Sequence, residues 1–219
     1  MIDTKCKACL FDMDGTLLDT ERIYQRFWRM SAKELGYDLT EEQFLEFRSM
    51  GQTFGEKRME EITGNPDAYN EIRDHRRELM GPYMKTIDIP LKPTVKEALE
   101  LLRQAGIRLA VSTASMKDIT EEYLTRAGIR EYFDELISAR MVKLGKPAPD
   151  VYLYACEVMG VKPQEAFAME DAPNGVRSAA AAGCRVIMVP DITRADESIS
   201  DLIEYEADNM LDAARYILK

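Results

Sequence analysis

The sequence predicts an α/β chain in which a Rossmann-like parallel sheet core carries an inserted helical cap domain. Three observations predict it. A short apolar run, Ala8-Cys9-Leu10-Phe11, stops abruptly at Asp12-Met13-Asp14-Gly15, as a buried strand does on reaching a tight turn. From Pro93 onward, apolar runs of strand length alternate with stretches of helical periodicity, most of them closed by glycine. Such alternation implies right-handed crossovers and a parallel sheet with helices on both faces. Between these regions, residues 20–84 contain no strand-like run. The division that follows is a core of residues 1–17 and 89–219 and a helical cap of residues 18–88.

Taken in order, the elements are as follows. After the opening strand, Ile23, Phe27, Met30 and Leu35 mark the apolar face of a helix over 20–35, closed by Gly36. Thr40-Glu41-Glu42-Gln43 has the form of a capping box for a short second helix. Helices over 55–63 and 67–81 follow, parted by Gly64-Asn65-Pro66. In the core, Thr94 with Glu97 reads as a second capping box, and Val95, Ala98, Leu101 and Leu102 form one face of the helix it opens. Strands are expected over 107–113, 135–138, 166–169 and 185–189, with helices over 115–127, 149–159 and 174–182 between them. The acidic stretch after Asp191 is expected to pack as a terminal helical edge.

The bulk properties narrow the function. The chain carries 29 basic and 39 acidic side chains, a net charge of −10, and no basic stripe, which argues against nucleic acid as a partner. No apolar stretch is long enough to cross a bilayer, and Asp3, Lys5 and Lys7 do not fit a signal peptide. The expectation is a cytoplasmic protein, not bound to a membrane and monomeric. Cys6 and Cys9 have C-x-x-C spacing, but positions three apart on a strand point to opposite faces and no second pair stands nearby. The only histidine, His75, lies in the charged run Arg73-Asp74-His75-Arg76-Arg77, read as a solvated helix face.

Ligands of such sheets bind beyond the carboxyl ends of the strands. There the sequence collects Asp12 and Asp14 after the first strand, Thr113 at the end of the second, Glu170-Asp171 after the fourth, and Lys146 in Leu144-Gly145-Lys146-Pro147. Singly these read as turn acids, a strand-end hydroxyl, a capping pair and a loop charge. Together they place four carboxylates, a hydroxyl and an ammonium at one sheet edge. Oxygen ligands suit a hard divalent cation, magnesium (Mg2+) above all. The hydroxyl, the lysine and backbone amides at a helix start suit a phosphoryl group. With no serine or cysteine paired to histidine, the natural nucleophile is a carboxylate.

Asp12-Met13-Asp14-Gly15-Thr16, Thr113, Lys146 in Gly-Lys-Pro-Ala-Pro-Asp, and Glu170-Asp171-Ala-Pro-Asn-Gly resemble, in order, the four motifs of the haloacid dehalogenase superfamily. The insert looks like that family's helical cap, and the whole is similar to the subgroup of beta-phosphoglucomutase and phosphoglycolate phosphatase. The resemblance implies that Asp12 attacks phosphorus and that Asp14 protonates the leaving oxygen and later activates water. It implies a magnesium site of Asp12, Asp171 and the Asp14 backbone carbonyl, supported by Glu170. Thr113, Lys146 and the amides of Ala114 and of Asp14 to Gly15 would hold phosphate oxygens. The expected partner is a small phosphorylated metabolite, of sugar or nucleoside phosphate type, hydrolysed through an aspartyl-phosphate. A phosphomutase is the alternative, but Tyr24 stands where such mutases carry a histidine, and Phe54 where they carry an arginine. Among polar cap residues, Arg22, Gln25, Gln52, Lys57 and Arg58 are candidates for substrate contact, with Tyr24. A reference aspartate pKa near 3.9 leaves about one carboxyl in a thousand protonated at neutral pH. Closure of the cap, by desolvating Asp14, is therefore expected to gate the reaction.

Overall fold

The computed structural model describes residues 6–219, so Asp3 and Lys5 lie outside the described residues. Six strands form one sheet in the order β3-β2-β1-β4-β5-β6, every neighbouring pair parallel. They are β1 (Ala8–Phe11), β2 (Arg108–Thr113), β3 (Glu135–Ser138), β4 (Ala166–Glu170), β5 (Arg185–Met188) and β6 (Tyr205–Glu206). Alternate residues of each strand feed different layers, as the two-residue strand period requires. Cys9, Phe11, Leu109, Val111, Phe167 and Met169 pack into one buried cluster with α5 (Val95–Gln104), α6 (Lys117–Arg126) and α9 (Met210–Ile217). Ala8, Leu10, Ala110, Ala166 and Ala168 pack into the other, with α7 (Asp150–Val158) and α8 (Pro173–Ala182). The small alanines on that second face leave room for the equally small Ala155 and Ala179 of the helices above them.

Between β1 and α5 stand the four helices of the insertion: α1 (Glu21–Glu34), α2 (Glu41–Glu46), α3 (Gln52–Thr63) and α4 (Ala68–Thr86). They have a core of their own, built from Ala32, Phe44, Phe47, Met59, Ala68, Tyr69 and Ile72. The insertion leaves and returns along two crossing segments, where Asp19 N donates to Pro90 O at 2.8 Å and Lys92 N to Leu17 O at 3.0 Å.

Several elements differ from the sequence expectation. The Thr40 capping box forms as expected, with Gln43 N and the Gln43 side chain bonded reciprocally to Thr40. Thr94 caps nothing: its φ is 64°, and its hydroxyl bonds Asn209 Oδ1 at 3.2 Å and accepts from Leu211 N at 3.1 Å, tying α5 to the start of α9. α3 begins at Gln52, and α4 runs on through Pro82 to Thr86 because Met80 and Met84 are buried against the core. The acidic C-terminal stretch supplies the edge strand β6 before its helix. The Cys6 and Cys9 sulfurs approach to 3.8 Å, because Cys6 precedes β1 and is not on its pleat.

Candidate active site

Asp12 continues β1, Thr113 ends β2, Glu170 ends β4 with Asp171 next, and Lys146 reaches in from the loop between β3 and α7. Adjacent parallel strands bring these ends together. The Lys146 ammonium is fully buried and donates to Asp12 Oδ1 at 2.5 Å and Glu170 Oε1 at 2.6 Å. Tyr152 Oη also donates to Glu170 Oε1. Asp171 accepts from Thr16 Oγ1 at 3.2 Å and forms an ion pair with the buried Arg48 guanidinium. Arg48 in turn donates to Thr193 Oγ1 at 2.8 Å and lies 3.6 Å from Glu21.

Asp12, Glu170 and Asp171 present oxygens within 4.8 Å of one another. Burial, opposed by Lys146, raises the pKa of Asp12. Burial likewise carries Glu170 to about 8 against the pull of Lys146, and Asp171 to about 6 against that of Arg48. Burial opposes the Lys146 charge, yet Asp12 and Glu170 hold its pKa above the ordinary range. Three buried carboxylates thus share two cations, and Glu170 Oε2 has no hydrogen-bond partner among the described residues. An all-oxygen, anion-rich pocket of this kind fits a hard divalent cation. The Asp14 side chain stands apart from it, accepting from Thr20 Oγ1 at 2.6 Å and Ser115 Oγ at 2.9 Å. Burial raises the Asp14 pKa, against both hydroxyls.

Asp12, Asp14, Thr113 and Ala114 open into a cavity of about 530 Å³, whose other wall is the helical insertion. Tyr24, Gln25 and Gln52 line it, whereas Arg22, Lys57 and Arg58 are not among its lining residues, and Arg58 pairs with Glu46 at 2.6 Å instead. Thr113 Oγ1 accepts from Ser115 N at 3.0 Å. The Gly15 amide does not face the cavity as a phosphate donor: it donates to Leu18 O at 2.8 Å in the turn after β1. At φ 88°, Gly15 is also the residue this turn needs, since a Cβ there would stand 2.5 Å from Asp171 Oδ2.

Sequence reasoning missed Arg48, Glu21 and the arginines of α4. Arg73, Arg76 and Arg77, read as a solvated face, line the cavity, and Arg76 is only 8% exposed. His75, in the same run, turns away to pair with Glu34 at 2.7 Å.

A sequence model described as a haloacid dehalogenase-like hydrolase matches residues 6–183. The chain belongs to the haloacid dehalogenase-like hydrolases. It is 33% identical over 219 residues to Protein CbbY of Cereibacter sphaeroides, covering 94% of this chain and 92% of that one. It is 35% identical over 185 residues to hexitol phosphatase A of Escherichia coli, covering 84% and 83%. The crystal structure of CbbY from Rhodobacter sphaeroides in complex with xylulose-(1,5)bisphosphate superposes with a TM-score of 0.77 at 30% identity, covering 94% of this chain and 96% of that one. Membership of this family accounts for the parallel sheet, the insertion after β1 and the order of the four motifs. No helix among the described residues is long and apolar enough to cross a membrane.

Proposed function

We propose that this hydrolase is a magnesium-dependent phosphatase of a small phosphorylated carbohydrate, working through an aspartyl-phosphate on Asp12. The observation that carries the reading is the Asp12 carboxylate at the end of β1, held by Lys146 at 2.5 Å at the floor of the cavity. The phosphatase names of the relatives support the reaction class, and the CbbY ligand supports a carbohydrate. Residues 18–88 act as the unit that closes over the substrate.

Asp12 attacks phosphorus, the ester bond breaks, and the leaving oxygen takes the proton of Asp14. Asp14, now ionised, then removes a proton from the water that attacks the aspartyl-phosphate, which releases inorganic phosphate and restores Asp12. The burial that raises the Asp14 pKa favours the proton-carrying form that this acid step uses. Lys146 meets the phosphate oxygens and offsets the repulsion between carboxylate and phosphate, about 4 kcal/mol per charge pair at 4 Å and an effective dielectric of 20. Asp12 and Asp171, with the Asp14 carbonyl and Glu170 beside them, would hold the metal, which supplies further positive charge at the transferring group. Thr113 and the Ala114 amide hold the remaining oxygens.

Phosphorus NMR of the protein with magnesium and a panel of sugar phosphates tests this reading. Inorganic phosphate should appear with the parent, vanish with Asp12→Asn, and vanish on chelation until magnesium is restored. Transfer of phosphate between sugar carbons with little release would establish a mutase instead.

A further inference from the structure

Arg48 belongs to the insertion, yet its guanidinium is spent on the sheet. It follows α2, is 2% exposed, pairs with the Asp171 carboxylate and donates to the Asp171 carbonyl at 3.3 Å. The core holds it at two further points: Thr193 Oγ1 accepts from it at 2.8 Å, and Asn174 Nδ2 donates to its carbonyl at 2.9 Å. Ser49, next in the chain, has φ of 54°, a left-handed conformation that a residue other than glycine adopts at a cost. The turn that aims Arg48 inward is therefore strained. Arg48 is not among the residues lining the catalytic cavity; it lines a separate groove between α2 and the start of α8. It acts on Asp171 and not on the substrate.

The acids around it show what Arg48 answers to. Asp12 and Glu170 share Lys146 at 2.5 and 2.6 Å, and Asp191 takes Lys92 at 2.6 Å. Asp14 is held by the hydroxyls of Thr20 and Ser115. Beyond Arg48, the Asp171 side chain meets only the Thr16 hydroxyl, at 3.2 Å, among the described residues. Glu21 of α1 lies 3.6 Å from Arg48 and accepts from Gln25. It is part of the insertion and gives the guanidinium a second acid to lean on when it leaves Asp171.

We propose that Arg48 is a positioning residue that couples the divalent cation to the insertion. Cation and guanidinium draw on one carboxylate, Asp171, so each weakens the hold of the other, and by the same factor. The inference rests on Asp171 as a metal ligand in the reading above. Other links across the seam, Gly51 N to Lys146 O at 2.7 Å and Arg140 to Gln52 Oε1 at 2.6 Å, do not involve that carboxylate. Magnesium alone therefore loosens the insertion. A phosphate dianion returns the negative charge that the cation offset and draws Arg48 back, so that closure follows the phosphate and not the metal.

Magnesium titration calorimetry and amide hydrogen exchange, both at constant ionic strength, test the coupling. Arg48→Met should bind magnesium about tenfold tighter than the parent, within the usual range of coupling between sites. In the parent, saturating magnesium should speed exchange of the Gly51 amide by at least about fivefold, because that amide is protected only while the seam is shut. Added inorganic phosphate should slow it again. In Arg48→Met neither addition should change it. Should Arg48→Met fail to melt cooperatively, the exchange rates of the parent decide alone. Magnesium affinity in Arg48→Met equal to the parent's or weaker, or Gly51 exchange indifferent to magnesium, overturns the coupling and leaves the metal site standing. Exchange that stays fast with phosphate overturns the part given to the dianion. A parent that takes up no magnesium overturns the metal site, and the coupling with it.

Discussion

Glu21 is buried beside Arg48 at 3.6 Å and accepts from Gln25 Nε2 at 2.9 Å. Burial first, and then the charge of Asp171, carry its pKa to about 8 from 4.5, against the pull of Arg48. The sign of the consequence is fixed. Below pH 4.5 both folded and unfolded chains hold the proton, and Glu21 contributes nothing to the pH dependence. Between 4.5 and 8 the unfolded chain ionises while the folded one keeps its proton, so stability falls as pH rises, and above 8 the loss is complete. Glu21→Gln should therefore melt at the same temperature as the parent near pH 4.5 and several degrees higher at pH 8.5, about 2–4 °C per kcal/mol at this size. Parallel melting curves that keep one offset at every pH would refute the assignment. At this scale the sequence was only half legible. Asp12, Asp14, Lys146 and Asp171 could be found because their spacing to strand ends survives in one dimension. Arg48 and Arg76 could not, because a cation on an amphipathic helix or loop looks the same whether it faces water or a buried carboxylate.

Helix α8 shows how an element sets a site it does not itself supply. Its first turn contains Gly175, where a Cβ would stand 2.0 Å from Glu170 Cδ and Oε2. The helix can therefore lie against the end of β4 only with glycine at this point, and that contact holds Glu170 on Lys146. One residue earlier, Asn174 Nδ2 donates to Glu46 O at 2.8 Å and Arg48 O at 2.9 Å, holding the loop that brings Arg48 to Asp171. Gly175→Ala should cost about 1–3 kcal/mol, the range of an overpacked core, read from the urea midpoint. Because it displaces Glu170 and through it Lys146, it should also lower turnover by about 100-fold, as misplacement by 1 Å does. A variant with parental stability and rate would show that the helix yields freely here. The helices and central strands were legible because glycine closes them, as Gly183 does for α8 at φ 84°, and because periodicity marks their faces. β6 was not, since a two-residue edge strand has no period to read, and α4 outran its expected end because burial of Met84 outweighed the cost of Pro82.

Across the whole molecule, the helical insertion meets the sheet edge at a backbone contact. Gly51, just before α3, donates its amide to Lys146 O at 2.7 Å, and a Cβ on Gly51 would stand 2.6 Å from Gly145 Cα. Two glycines facing each other allow the insertion to rest directly on the loop that carries Lys146. Farther along the same seam, the buried Arg48 spans from insertion to Asp171. The seam thus links three things in one approach: Lys146 is fixed, Asp171 is compensated, and the roof of the cavity comes down over Asp14. If closure supplies the desolvation that keeps a proton on Asp14, then blocking the approach should impair chemistry more than folding. A valine at position 51 cannot clear Gly145, and the backbone of that loop is no flexible side-chain end that could swing away. Gly51→Val should therefore hold the insertion off the sheet and show a larger radius of gyration by small-angle X-ray scattering. Its turnover at saturating substrate should fall by about 100-fold, the low end of what a positioned acid contributes. The two hydrophobic layers of the sheet and the separate core of the insertion remain intact, so cooperative melting should persist. Full turnover in a protein shown by scattering to be open would mean that Asp14 keeps its proton without the roof, and that closure serves selection of the substrate alone.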